Sequence, residues 1–131
     1  MRAFVVAGVV LWAGVAMAQE TEIRGVIESQ ITAFQADDFA AAFTHASPGI
    51  KGMFGSAERF GAMVRQGYPM VHRPDEVRYL GLRTESGRQV QRVMIRDAQG
   101  RVHFLDYEMI EADGGWQING VRLLPPQGAG A

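Results

Sequence analysis

The sequence predicts an α+β domain, with three N-terminal helices packed into a curved antiparallel sheet of about four strands. Two observations carry this prediction. Apolar residues recur at helical spacing up to about Gly67 and alternate at strand spacing after Tyr68, so the helices precede the strands. The stretch Val102 to Leu124 then reads as one long hairpin turning at Asp113-Gly114, a dipeptide suited to the positive φ angles of a tight turn. A chain of 131 residues has room for one core.

The first eighteen residues read as a leader. Arg2 supplies a positive start, Ala3 to Val15 is an uncharged apolar run, and Ala16-Met17-Ala18 is a small-x-small cleavage signal before Gln19. The run is shorter than the roughly 20 residues that span a bilayer. The expectation is a secretory signal peptide over 1–18, a single domain over 19–125 and a disordered tail over 126–131. It places the mature protein in the periplasm or outside the cell, with no membrane contact after cleavage.

Within the domain, Ile23, Val26, Ile27, Ile31 and Phe34 form one face of a first helix capped by Thr21. Asp37 is well placed to cap a second, from Phe39 to Phe43. Ser47-Pro48-Gly49 reads as a break opening a glycine-rich loop. Ser56 caps a third helix, Ala57 to Gln66, with Phe60, Met63 and Val64 on one side. Pro69 and Pro74 bracket Met70-Val71-His72, which reads as a short extended connector. Val77 to Arg83 and Gln89 to Arg96 are the next strands, with turns at Glu85-Ser86-Gly87 and Asp97 to Gly100.

In the hairpin, a two-residue turn sets Glu111 opposite Trp116 and Met109 opposite Ile118. A bulge at Gly120 then puts His103, Leu105, Tyr107 and Met109 on the covered face with Trp116, Ile118, Val121 and Leu123. In that register Asp106 and Glu108 face outward, with Asp106 near Arg122 as an ordinary surface pair. A three-residue turn, Asp113-Gly114-Gly115, would reverse the faces and bring both carboxylates inside.

These features resemble the nuclear-transport-factor-2-like superfamily. The residues that carry the resemblance are the Asp37-Asp38-Phe39 step between helices, the aromatic helix ending near Gly67-Tyr68, and Asp113-Gly114-Gly115-Trp116-Gln117-Ile118-Asn119-Gly120. More closely, the chain is similar to a bacterial domain family of unknown function, the one numbered 4864. The resemblance implies a cone-shaped (cystatin-like) fold over the whole mature chain. The superfamily holds isomerases, dehydratases, epoxide hydrolases and non-catalytic binding domains, so the fold alone selects no activity.

Composition removes several classes of chemistry. The chain has no cysteine, hence no disulfide, thiol nucleophile or Cys-based zinc site. No glycine-rich dinucleotide or phosphate loop and no Gly-x-Ser-x-Gly is present. His45, His72 and His103 lack metal-ligand spacing, and neither a metal nor a cofactor is expected. A formal net charge of −1 argues against nucleic acid as a partner, although arginines are frequent in the strands.

The expected function is non-catalytic binding of a small apolar ligand or of a protein partner. The expected lining of the concavity is His103, Tyr107, Met109 and Trp116 from the sheet, with Phe34, Phe60 and Tyr68 at the mouth. The alternative is a cofactor-free acid/base isomerase or lyase using Asp106 or His103 with Tyr107 as hydrogen-bond donor. Val102, Phe104 and Ile110 on the outer face point to a homodimer.

Overall fold

A computed structural model describes residues 3–126, with side chains from position 14. Five helices precede an antiparallel meander: α1 (Ala3–Gln35), α2 (Phe39–Thr44), α3 (Pro48–Phe54), α4 (Ala57–Gly67), α5 (Pro69–His72), β1 (Pro74–Glu85), β2 (Arg88–Asp97), β3 (Val102–Ala112) and β4 (Gly115–Leu123). The strands lie in the order β1-β2-β3-β4, and the helices cover one face. The fold is therefore α+β with an open four-stranded sheet. The tail expected to be disordered falls outside the described residues beyond Pro126.

Two helices stand where none was expected. Ser47 caps α3, its Oγ accepting from the Ile50 N–H at 3.2 Å, and Pro48 takes the first position, where its missing N–H costs nothing. Gly55, at φ 79°, ends the helix. Ser-Pro-Gly thus opens a helix as well as closing the one before. Pro69 likewise begins the single turn α5, whose Met70 and Val71 are buried, so this segment is no extended connector.

The second helix is capped one residue later than the sequence suggests. Asp38 accepts from the Ala41 N–H, while Asp37 sits at φ 56° and receives His72 Nε2 at 2.7 Å and Arg73 at 3.0 Å. The same guanidinium donates to the Phe34 and Gln35 carbonyls, which closes the end of α1.

The core joins the stripe Ile23, Ile27, Ile31 and Phe34 of α1 to Val93, Ile95, Leu105, Tyr107, Met109 and Ile118 of the sheet. Ahead of that stripe, Val15 and Met17 are 64% and 70% exposed. Among the described residues no helix is long and apolar enough to cross a membrane.

The β3–β4 hairpin turns at Asp113 (φ 54°) and Gly114 (φ 81°), setting Ala112 opposite Gly115 and Met109 opposite Ile118. A bulge at Asn119 then sets Glu108 opposite Gly120 and Asp106 opposite Arg122. The two-residue turn is the one formed, so Asp106 and Glu108 leave the sheet on its outer side. The free edge of β4 is partly covered, since Ser47 N–H donates to the Ile118 carbonyl and Ile118 N–H to that of His45.

Candidate functional site

Between the helical layer and the β3–β4 half of the sheet lies a cavity of about 350 Å³. Phe34 of α1, Ile50, Met53 and Phe54 of α3, and Phe60, Met63 and Val64 of α4 form its helical walls. Tyr107, Ile118 and Val121 form the sheet side, and Tyr68 and Val71 close it between them. Phe60 is central to the wall, its ring 5.7 Å from Phe34, 5.3 Å from Phe43 and 5.6 Å from Phe54. Such tilted and edge-on contacts fix ring positions beyond what burial alone does.

Polar groups at the cavity are few. Tyr68 Oη donates to the Val121 carbonyl at 3.2 Å. Gln30 is buried and donates through Nε2 to the Ala42 carbonyl at 3.2 Å. Asn119 is used at both ends, accepting from Ser47 Oγ at 2.8 Å and donating to Glu108 at 2.6 Å. Tyr107 is fully buried, and its hydroxyl has no hydrogen-bond partner among the described residues. Burial pushes its ionisation well above the ordinary tyrosine range, so the phenol stays neutral.

Of the seven residues expected to line the concavity, Phe34, Phe60, Tyr68 and Tyr107 do line it. His103, Met109 and Trp116 do not. His103 lies near the start of β3, and its Nε2 is 2.8 Å from Oδ2 of Asp97, the last residue of β2. Met109 is buried in the core, and Trp116 packs half-buried against its edge. The residues missed include Gln30, those of α3, Met63 and Val64 of α4, Val71 of α5, and Ile118 to Val121 of β4. Gln30 could have been found, because it falls on the α1 stripe between Ile27 and Phe34.

The acid/base set is not assembled. Asp106 is on the opposite side of the sheet from Tyr107, and His103 is four residues along the strand, about 13 Å at strand rise. Nor is Asp106 an ordinary surface carboxylate. It is only 3% exposed, with Arg92 Nε at 2.9 Å, Arg83 at 2.8 Å and Arg122 at 2.9 Å. Burial would raise its pKa, but the hydrogen bonds from Arg92, Arg83 and Arg122 outweigh that and hold it well below the usual carboxylate range. A group held so firmly ionised is a poor base at neutral pH. Beside it, Arg88 and Asn119 both donate to Glu108 at 2.6 Å.

Residues 16–131 match the family described as Domain of unknown function (DUF4864). The chain belongs to this family. The match takes in every wall of the cavity and the whole outer-face cluster. No curated protein and no solved structure matches the chain. Among the described residues no three His, Cys, Asp or Glu side chains are grouped to hold a metal ion.

Proposed function

We propose that this protein binds a small, mainly apolar molecule in the cavity between its helices and sheet, without transforming it. The observation that carries the reading is the cavity itself, about 350 Å³ walled by aromatic and aliphatic side chains. That volume and that lining are typical of small-molecule sites. Acid/base work usually draws on two groups whose pKa values are pushed apart. Among the described residues the cavity wall carries no histidine and no carboxylate.

Titration with small aromatic hydrocarbons, followed by amide chemical shifts, tests the reading. The expected shifts fall on residues of α3, α4 and β4 around the cavity, and Met63→Trp, which fills it, abolishes them while the fold is kept. Shifts confined to the outer sheet face, or none at all, would turn the reading toward a protein-interaction module.

Three further readings stand with this one. The element order supports a cone of the nuclear-transport-factor-2-like kind, which an experimental structure would test by its sheet curvature. Export with removal of residues 1–18 is supported by the exposure of Val15 and Met17 ahead of Ile23, the first core residue among those whose side chains are described. Intact mass of the exported protein tests it, and a form retaining Trp12 would defeat it. Pairing of two copies through the outer sheet face is supported by Val102, 52% exposed, beside half-buried Phe104 and Met94. Light scattering that finds only monomer, with Phe104→Glu unchanged in mass, would count against it.

A further inference from the structure

A chain of hydrogen bonds runs from the outer face of the sheet to the cavity wall. On the outer face, Glu108 accepts from Arg88 and from Asn119 Nδ2, both at 2.6 Å. Asn119, at the β4 bulge, accepts through Oδ1 from Ser47 Oγ at 2.8 Å. Ser47 Oγ in turn accepts from the Ile50 N–H at 3.2 Å and so caps α3.

The order of donors along this chain has one source. A carboxylate only accepts, and the Glu108 pKa is lowered, chiefly by the Asn119 hydrogen bond, so the group is ionised at neutral pH. The Asn119 amide must therefore turn Nδ2 toward Glu108, which leaves Oδ1 toward Ser47. Ser47 then spends its single proton on Oδ1 and keeps its lone pairs for the Ile50 N–H. With the amide turned over, Ser47 would meet a second donor and have nowhere on this chain to give its proton.

The wall at the far end depends on that cap. α3 has seven residues and none is buried, yet Ile50, Met53 and Phe54 line the cavity. Among the described residues, the Ser47–Asn119 bond is the only side-chain hydrogen bond that ties α3 or its cap to the sheet.

We propose that Glu108, although it stands on the outer face, is a positioning residue for the cavity. It orients the Asn119 amide, and through it the Ser47 cap that holds the α3 wall. The proposal rests on the ligand-binding reading above and adds to it a control point outside the cavity. The Glu108 side chain is 38% exposed, so this point is reachable from solvent. The neighbouring Asp106 cluster draws its side-chain donors from Arg83, Arg92 and Arg122 and has no part in the chain.

A set of variants separates these terms, each read by the Ile50 amide resonance in NMR and by naphthalene titration of the full chain. Glu108→Lys presents only donors, so it should invert the Asn119 amide, move the Ile50 resonance and weaken naphthalene binding roughly threefold to tenfold. Glu108→Ala leaves the amide free to turn and should move both readouts the same way by less. Glu108→Gln still offers Asn119 an oxygen and should match the parent protein in both. Arg88→Ala and Asp106→Asn remove charges from the same face without touching the chain, and should leave both readouts unchanged. Circular dichroism of each variant confirms that it folds.

An Ile50 resonance that ignores Glu108→Lys, or an affinity loss that Arg88→Ala reproduces, would overturn this proposal and leave the apolar-ligand reading standing. A Glu108→Gln variant that behaves like Glu108→Lys would overturn it too, since charge and not the acceptor would then be at work. If naphthalene fails to bind the parent protein, both readings fall together.

Discussion

Asp106 and Tyr107 are bonded neighbours in β3 whose side chains occupy opposite worlds. One is ringed by three guanidiniums on the outer face, and the other is sealed in hydrocarbon with an unpartnered hydroxyl. Alternation along a strand makes this separation unavoidable once the register is set. It explains why the charged network and the cavity are independent features, testable one at a time.

Asp106→Asn should destabilise the protein by about 2 kcal/mol at neutral pH. Removing one member of a buried ion cluster costs about 3–5 kcal/mol, but these guanidiniums are partly exposed and recover water. The pH dependence has a definite sign. The folded pKa lies below the ordinary 3.8, so the stabilisation is complete above about pH 4 and is lost as the pH falls through the folded value. Urea titrations at pH 7 and pH 3 should therefore give a smaller deficit for the variant at pH 3. A deficit that does not change with pH would count against the ion cluster.

Asp97 is held down to about 2, chiefly by its hydrogen bond from His103, which outweighs the effect of desolvation, and also by the Arg101 and Gln99 N–H groups. Its contribution is present above 3.8 and lost as the pH falls through about 2. His103→Ala should raise the Asp97 pKa toward 3.8, measured by NMR on the side-chain carboxyl. An unchanged value would assign the shift to the backbone donors instead.

A glycine on α4 tests the packing of the helical layer. A methyl group added at Gly61 would lie 2.6 Å from ring carbons of Phe39 and 3.2 Å from its Cβ. Alanine in a helix interior ordinarily gains about 1 kcal/mol over glycine. Here the clash involves atoms close to the Phe39 backbone, so Gly61→Ala should instead cost about 1–3 kcal/mol. Phe39→Leu should restore part of the loss in the double variant.

Ser47 is fully buried, caps α3 and donates to Asn119 Oδ1. Ser47→Ala should cost about 1–2 kcal/mol, the usual penalty for a lost cap with a buried partner left behind. Because α3 carries Ile50, Met53 and Phe54 of the cavity wall, hydrogen exchange should quicken there before it does in α4. Uniform quickening would mean a global loss instead.

The hairpin was legible because its signals are local. Asp113-Gly114 sets the turn, and Gly120 interrupts an alternation that the bulge restores one residue out of phase. Phe34, Phe60, Tyr68 and Tyr107 were legible as core-facing aromatics on periodic elements. The rest depends on convergence of distant segments. Arg83 and Arg92 reach Asp106 from two other strands, and the placing of Arg83 turns on an extra residue in β1 between Tyr79 and Leu82. The walls from α3 were hidden because Ser-Pro-Gly serves equally as a stop and as a start. Turn chemistry alone does not distinguish those uses.

That extra residue in β1 has a bearing on how the protein keeps to itself. β1 is the open edge of the sheet, and unpaired edges invite strands from other molecules. Its ladder is interrupted twice, between Pro74 and Glu76 and again between Tyr79 and Leu82. At the second break the Gln91 amide reaches the Leu80 carbonyl at 3.0 Å and fills the irregularity from within. An incoming strand would find only a short run of regular backbone, flanked by Arg78 and Arg83. The sheet is thereby a poor template for fibres, although a whole flank of it lies uncovered.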